Sequence, residues 1–258
     1  MGEVCAQTLY ASAFADNVGA LAYDGAIVDG FDPVNAVDWR DFSTFRSASG
    51  TSHLEVQVAA AVTVDTVVIW PITGAPAGAT IELDSSPDGT TWTNRGSMSV
   101  PVDGSISWAD LTPFALTAGQ WLRFQIVASG TIDWRQLSAG AKLAFPVGQW
   151  SGLNPPTLTQ GVVLDNVISV NGSIIGRNQR RQEKTGTLAL DHLQPTWVRS
   201  NWDPFVQAAV LHAFWWRWDP TGHPTEVAFT VSNSVAAPTN MAPAPLMHAE
   251  MPISFLTT

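Results

Sequence analysis

The sequence predicts a mostly β protein, with an N-terminal jelly-roll β-sandwich followed by a smaller β-rich domain with one helix. Two observations predict this fold class: apolar and polar residues alternate in short runs, and Gly, Pro, Asp and Ser cluster between the runs. A chain of 258 residues is long for one domain and comfortable for two. The Gly- and Pro-rich segment 145–161 has no clear period, so we expect domains at 1–150 and 151–258.

The first domain contains a series of alternating runs that are typical of antiparallel strands in a sandwich. The run 62–70 is β-branched and almost continuous, which indicates a strand with little exposed surface. In the other runs, alternate residues face the core and the residues between them face outward. The predicted core side chains are Leu54, Val56, Val58, Ile81, Leu83, Leu122, Phe124 and Ile126.

The second domain combines a predicted hairpin, one helix and several strands. Asn171-Gly172 lies between apolar runs and fits the two-residue type I′ turn of a β-hairpin. A helix is predicted near 203–212, with Asp203 as its N-cap and Pro204 at the first helical position. Three further strands are predicted to close the chain, in the segments FWWRW, EVAFTVS and HAEMPISFL.

Charge and composition narrow the range of partners. Charged residues make up only 13% of the chain, which indicates a surface covered by other subunits or a surface rich in Thr, Ser, Asn and Gln. The net charge is −10, and residues 1–150 hold 6 basic against 15 acidic residues. This acidic half argues against a nucleic-acid partner and against binding to an anionic membrane.

Several classes of protein lack support in the sequence. Cys5 is the only cysteine, so no disulfide can form within the chain. We find no signal peptide and no apolar run long enough to span a membrane, so we expect a protein made in a reducing cytosol. The histidines form no zinc motif, and no G-x-S-x-G segment is present. We therefore predict no catalysis, no cofactor and no metal, although sequence alone does not exclude a pair of catalytic carboxylates.

The segment SSPDGTTW (85–92) resembles the S-x-D-G-x-x-W segment of discoidin-like, galactose-binding jelly rolls. Other runs between residues 16 and 146 resemble strands of that family in the same order. The resemblance implies glycan binding by loops at one end of the sandwich, and it points to five residues: Asp38, Trp39, Arg40, Asp41 and Trp92. The alternative is that Trp39 closes the bottom of the barrel and Arg40 pairs with a carboxylate.

Residues 165–258 resemble the C-terminal module of tailed-phage tail-tip structural proteins. The matching segments are a Gly-Arg strand, the helix start WVRSNWDPF and the aromatic strand that ends at Pro220. The resemblance implies a structural component of the tail tip or baseplate that forms a ring with copies of itself and docks neighbouring tail proteins. A host-surface glycan is a further possible partner, and the expected location is the virion. The alternative function is a carbohydrate-binding module or lectin-like adhesion protein.

Two segments are candidates for the subunit interface. Arg177, Arg180 and Arg181 form a basic run that suits an acidic surface on an adjoining subunit, or else a solvated hairpin. In the strand FWWRW, alternation places Phe214, Trp216 and Trp218 toward the core. Trp215 and Arg217 then face outward, and their residue types suit an interface with another subunit.

Overall fold

A computed structural model describes residues 3–4, 18–24, 27–38, 43–47, 50–74, 79–100, 106–128, 131–148, 155, 161–241 and 245–255. The prediction of a mostly β chain with one helix is confirmed. The strands form a two-layer sandwich, a separate hairpin and a third, C-terminal sheet.

All pairings in the sandwich are antiparallel. The five-stranded sheet has the order β2 (Val18–Asp24), β4 (Gly50–Val58), β9 (Trp121–Ala128), β6 (Thr80–Ser86) and β7 (Thr93–Ser99). The four-stranded sheet has the order β3 (Phe45–Ser47), β10 (Ile132–Gly140), β5 (Val62–Thr73) and β8 (Ser107–Leu116).

The core between the two sheets contains all eight side chains that the alternation predicts. Leu54, Leu122 and Phe124 are completely buried, while their neighbours Glu55 and Arg123 are only partly buried. Full burial of one such apolar side chain stabilises the fold by about 1.5–3 kcal/mol. The period-two pattern therefore fixes both the strand faces and the main source of stability of the sandwich.

The C-terminal sheet draws strands from both ends of the chain. Its order is β11 (Leu143–Ala144), β1 (Glu3–Val4), β15 (Phe214–Arg217), β16 (Val227–Ser232), β18 (Leu246–Phe255) and β14 (Thr185–Leu193), with β17 (Thr239–Met241) paired to β18. Strands β1 and β11 come from residues 1–150, and Phe145 lies in the core of this sheet. The segments that flank the sandwich in sequence thus belong to the second sheet in space.

The helix begins nine residues earlier than the sequence predicts, at Pro195 instead of Pro204, so the N-cap assigned to Asp203 is wrong. It runs over Pro195–Trp197, Val198–Trp202 and Asp203–Ala209, and its middle segment has π-helical hydrogen bonding. Gln194 is the extended residue before the helix and Pro195 takes the first helical position. Pro204 lies inside the helix, where it cannot donate a backbone hydrogen bond. The wider π turn directly before it accommodates this loss.

The predicted hairpin is present as β12 (Gly161–Ile168) and β13 (Ile174–Glu183), but its turn differs from the prediction. The Ser169 amide donates to the Ser173 carbonyl, and the Gly172 amide donates to the Ser169 carbonyl. Gly172 has a φ of 81°, whereas Asn171 does not have the positive φ that a type I′ turn requires. The loop therefore has three residues and ends in a left-handed glycine.

Trp215 and Arg217 are buried within the chain, which corrects the expectation that they face another subunit. Trp215 is fully buried, contacts the rings of Trp70 and Phe229, and donates from Nε1 to Ser138 Oγ at 2.9 Å. Trp70 and Ser138 belong to the four-stranded sheet. The outer face of that sheet is thus covered by β15 and β16, so these side chains join the two halves of the same chain.

Arg217 also takes part in the packing of β15 and β16 on the four-stranded sheet, which is here called the contact between the halves. Its Nη2 lies 2.9 Å from Asp110 Oδ2, and its guanidinium lies 4.4 Å from the centroid of the Trp108 ring. Burial alone would raise the pKa of Asp110, but hydrogen bonds from Lys142, Arg217 and Trp108 outweigh burial and lower it. The predicted two-sided strand is otherwise confirmed, because Phe214 and Trp216 pack on the opposite face in the core of the C-terminal sheet.

Candidate ligand-binding cleft

A cleft of about 390 Å³ opens at one end of the sandwich. Strands β2, β5 and β9 all finish at this end, because Asp24 pairs with His53, Gly50 with Ala128 and Thr73 with Asp133. The loops that follow these strands therefore converge there. The described residues that line this loop-end cleft are Val28, Arg46, Gly74, Thr131 and Asp133.

An ion pair between Arg46 and Asp133 forms the polar wall of the cleft. The two residues are register partners on β3 and β10. Arg46 Nε donates to Asp133 Oδ1 at 2.5 Å and Nη2 donates to Oδ2 at 2.9 Å, a bidentate arrangement. Their side chains stay 35% and 28% exposed, so both face the solvent in the cleft.

This pair keeps hydrogen-bonding capacity for a ligand. A guanidinium has five N–H donors and a carboxylate accepts at about four lone-pair positions. The bidentate contact uses two of each, which leaves donors on Arg46 and acceptors on Asp133. The hydrogen bond to Asp133 is also the main factor that raises the pKa of Arg46, so the guanidinium remains charged.

Phe31 adds an aromatic surface beside the ion pair. The Arg46 guanidinium lies 4.1 Å from the centroid of the Phe31 ring. The ring is positioned by a turn in which the Phe31 amide donates to the Val28 carbonyl, and the Val28 amide donates to the Arg46 carbonyl. The lining of the cleft thus supplies a planar donor and a planar acceptor, and an aromatic ring lies directly beside the donor.

Gly74 forms part of the floor and admits no side chain. Its φ is +83°, and a Cβ added there would lie 2.2 Å from the carbonyl oxygen of Thr131. The backbones of the loops after β5 and β9 therefore approach each other more closely than any other residue type would permit. This contact holds Thr131, and with it the start of β10, in place beside the cleft.

Of the five residues predicted to bind glycan, the structure describes Asp38 and Trp92, and neither is among the described residues that line this cleft. Trp39, Arg40 and Asp41 lie outside the described residues. Asp38 Oδ1 accepts hydrogen bonds from Ser43 Oγ at 2.7 Å and from Gln136 Nε2 at 3.2 Å, which ties its loop to the four-stranded sheet. Trp92 instead lies beside the five-stranded sheet, so the structure does not bring Asp38 and Trp92 together.

The SSPDGTTW segment has a structural explanation in its own hydrogen bonds. Asp88 accepts from the backbone amides of Thr91 and Thr90 and from Ser86 Oγ, which lowers the pKa of Asp88 far below its usual range. Trp92 stacks on the Arg123 guanidinium at 4.2 Å, and Arg123 pairs with the buried Asp84 at 2.7 Å. This part of the motif builds a turn between β6 and β7, at the end opposite the cleft, and covers Arg123 beside the five-stranded sheet.

Sequence reasoning missed the residues that do form the cleft. Arg46 and Asp133 are 87 positions apart and belong to no motif of their own. Only the antiparallel pairing of β3 with β10 brings them together. A stronger signal was present in Phe31, an aromatic residue in a polar, Asp-Gly-containing loop that the resemblance already assigned to the binding end.

A second polar cluster lies on the C-terminal sheet. His248 Nδ1 is 2.5 Å from Asp191 Oδ1, and its Nε2 is 3.5 Å from Glu250 Oε2. The hydrogen bond to Asp191 is the main factor that raises the pKa of His248. Among the described residues, no group of three or more His, Cys, Asp or Glu side chains has a geometry that could hold a metal ion. None of the described helices is both long and apolar enough to cross a membrane.

Solved structures that resemble this chain are carbohydrate-binding modules. CBM32-3 of a family 31 glycoside hydrolase from Clostridium perfringens is 13% identical, and the match covers 50% of this chain and 93% of that one with a TM-score of 0.41. The family 32 module of C. perfringens NanJ, solved with galactose, is 10% identical, with coverage of 55% and 100% and a TM-score of 0.41.

A chitosan-binding module of a chitosanase/glucanase from Paenibacillus sp. IK-5 is 22% identical, with coverage of 48% and 94% and a TM-score of 0.38. No protein-family model matches the sequence, and no curated protein matches it significantly. The sandwich is therefore defined by the strand order of this chain itself.

Proposed function

We propose that this chain is a non-catalytic carbohydrate-binding module, or a lectin-like adhesion protein, and that the loop-end cleft holds the sugar. One observation carries the proposal: the solvent-exposed Arg46–Asp133 pair lies against the ring of Phe31 in a cleft of about 390 Å³. The modules similar to this chain include one solved with galactose and one that is chitosan-binding, which is consistent with this function.

The chemistry of the cleft suits a neutral sugar. A pair of adjacent hydroxyls can donate to Asp133 and accept from Arg46 at the same time. The C–H face of the ring can pack on the exposed part of Phe31. Because the two charges neutralise each other, the pair gives a carboxylated sugar no advantage over a neutral one.

Binding without hydrolysis follows from the carboxylates of the cleft. Glycoside hydrolysis commonly uses two carboxyl groups on opposite sides of the scissile bond. The described lining contains one carboxylate, Asp133, and that group is held by Arg46. We therefore expect the cleft to retain a sugar and to leave the glycosidic bond intact.

Isothermal titration calorimetry with galactose, N-acetylgalactosamine and chitosan oligomers tests this function, after a glycan array has ranked the ligands. Arg46→Gln and Phe31→Ala should each weaken binding by about tenfold or more, as expected for a central contact. Arg95→Gln is the matched control, because Arg95 also stacks on a phenylalanine, Phe114, at 4.7 Å but lies outside the cleft. Wild-type protein that binds no glycan, or Arg46→Gln protein that binds like wild type, would contradict the proposal.

A structural role in a phage tail tip or baseplate is the second candidate. The resemblance of residues 165–258 supports it, and so does the exposed apolar hairpin β12–β13, which a free sugar-binding module does not need. In this role the cleft would contribute weak binding to host-surface glycan, and the protein would be located in the virion. Mass spectrometry of purified particles tests the idea, because a structural component must be present at a fixed copy number relative to the major tail protein.

A further inference from the structure

The hairpin formed by β12 and β13, here called the arm, carries a concentrated apolar surface. Within the described residues its two strands pair only with each other. Five apolar side chains at its tip are between 45% and 107% exposed: Val167, Ile168, Val170, Ile174 and Ile175. Exposed apolar clusters of this kind mark interaction surfaces in soluble proteins. A two-stranded hairpin is also only marginally stable in water without further packing.

Both faces of the arm are apolar at the tip. Ile168 and Ile174 are register partners and therefore share one face. Val167 directly precedes Ile168 on β12, so it lies on the opposite face, and Ile175 is the unpaired extra residue at the register shift between Val167 and Ile168. Val170 is at the very end, in the three-residue loop. A tip of this shape fits into a recess that contacts both faces, and it fits poorly on a flat surface.

The arm and the rest of the chain carry opposite charge. Residues 161–184 contain four of the 12 basic residues and two of the 22 acidic ones. The remaining chain therefore holds eight basic and 20 acidic residues. Arg177 is exposed on the arm, where its Nε donates to Asn166 Oδ1 at 2.8 Å. The side chains of Arg180 and Arg181, the other two predicted interface arginines, lie outside the described residues.

The two β15 side chains that were predicted to contact another subunit are not free to do so. Trp215 and Arg217 are already buried against the sandwich of their own chain. These two side chains are therefore not available for a contact between copies, whereas the arm holds five of the nine large exposed hydrophobic side chains in the described part of the chain.

We propose that the arm docks on the acidic body of a second copy of this chain. Apolar burial at the tip would drive the contact, and attraction between the basic arm and the acidic body would orient it. Each copy offers both an arm and a body, so the contact can be head-to-tail. This inference does not depend on sugar binding by the cleft.

Sedimentation equilibrium of the full chain over a range of concentrations tests the proposal. Wild-type protein should associate with increasing concentration, and the association should weaken between low and high salt because the charges are screened. The double variant Ile168→Asp/Ile174→Asp should raise the dissociation constant by about tenfold or more. Both side chains are exposed, so the melting temperature should stay at the wild-type value. Arg177→Glu should weaken association and reduce its salt dependence.

Val210→Asp/Leu211→Asp is the matched control, because these residues are similarly exposed at the end of the helix. It should associate like wild type. Monomeric wild-type protein at all concentrations would overturn the proposal, as would unchanged association of the arm variant or equal loss in the control. Binding of monomeric protein to anionic vesicles would assign the arm to a membrane instead. The arm variant should keep any glycan binding, so failure of this proposal and failure of the cleft proposal are distinguishable.

Discussion

The loop-end cleft and the contact between the halves use the same three chemical groups, with opposite consequences. In the cleft, Arg46 pairs with Asp133 and stacks on Phe31. In the contact, Arg217 pairs with Asp110 and stacks on Trp108. The Arg46 side chain is 35% exposed and the Arg217 side chain only 6%. Exposure of the arginine therefore decides whether such a group is available to a ligand or is part of the structure.

A third group of this type consists of Arg123, Asp84 and Trp92. Like the group around Arg217, it contributes to the structure and is not open to a ligand. Its arginine is 18% exposed and its carboxylate 7%. Asp84 also accepts from Asn94 Nδ2 at 3.1 Å, so its capacity is largely used. Sequence reasoning favoured Trp92 as a sugar contact, whereas the structure gives its ring a structural partner in Arg123.

The largest predicted effect concerns the two faces of β15. Trp215→Ala and Trp216→Ala should each lower the free energy of unfolding by about 3–5 kcal/mol, because each removes a fully buried indole. Urea denaturation of the full chain measures both. A loss below about 1 kcal/mol for Trp215→Ala would show that the halves do not pack as described.

The buried pair Arg123–Asp84 and the more exposed pair Arg46–Asp133 should respond differently in stability when one partner is replaced. Arg123→Ala should cost about 3 kcal/mol of stability, because it leaves the nearly buried Asp84 carboxylate without its cation. Asp133→Asn should leave the unfolding free energy close to wild type and should lose sugar binding. Thermal unfolding and calorimetry on both variants make the comparison. Equal destabilisation by the two changes would contradict the assignment of Asp133 to an open site.

Gly74→Ala tests the floor of the cleft. The added Cβ would meet the Thr131 carbonyl and strain a left-handed backbone, so stability should fall by about 1–3 kcal/mol. Sugar affinity should fall as well, because Thr131 and Asp133 would shift. Gly119→Ala is the control, since its φ is also positive but no atom lies within 4 Å of the added carbon. A Gly74→Ala protein with the stability of the control would contradict the close approach.

The smallest effect is a pH dependence of the contact between the halves. The pKa of Asp110 is lowered in the folded chain by hydrogen bonds from Lys142 and Arg217, so these contacts stabilise the protein above the ordinary value of 3.8. That contribution should disappear as the pH falls below 3.8 and through the lowered pKa. Asp110→Asn should flatten this part of the curve of stability against pH. An unchanged curve would mean that these contacts contribute nothing across this range.

The sequence predicted the parts of the fold that depend on local patterns. Alternation located the strands and the core, and it placed Trp215 and Trp216 on opposite faces of β15. It could not show that the outward face is covered by another part of the same chain, because Trp215 and Ser138 are 77 positions apart. The helix start was also missed, because a proline inside a helix looks like a first residue when the π turn before it is unknown.

The candidate site was predicted only as a region. The resemblance pointed to the loop at 29–45, which contains Phe31, but the residues it named there are either outside the described residues, as Trp39 is, or engaged internally, as Asp38 is. Arg46 and Asp133 meet through strand pairing, which no local pattern predicts. The residues of the cleft therefore differ from the predicted ones because they are brought together by long-range strand pairing.

We propose that the loop-end cleft holds the sugar. Backbone chemical-shift mapping by NMR during titration with the best glycan from the array tests it most directly. Sugar bound in the cleft should shift the signals of Phe31, Arg46, Gly74, Thr131 and Asp133 most, with little change at Trp92 and Arg123. Shifts centred on Trp92 and Arg123 would contradict the account and return the binding site to the opposite end of the sandwich.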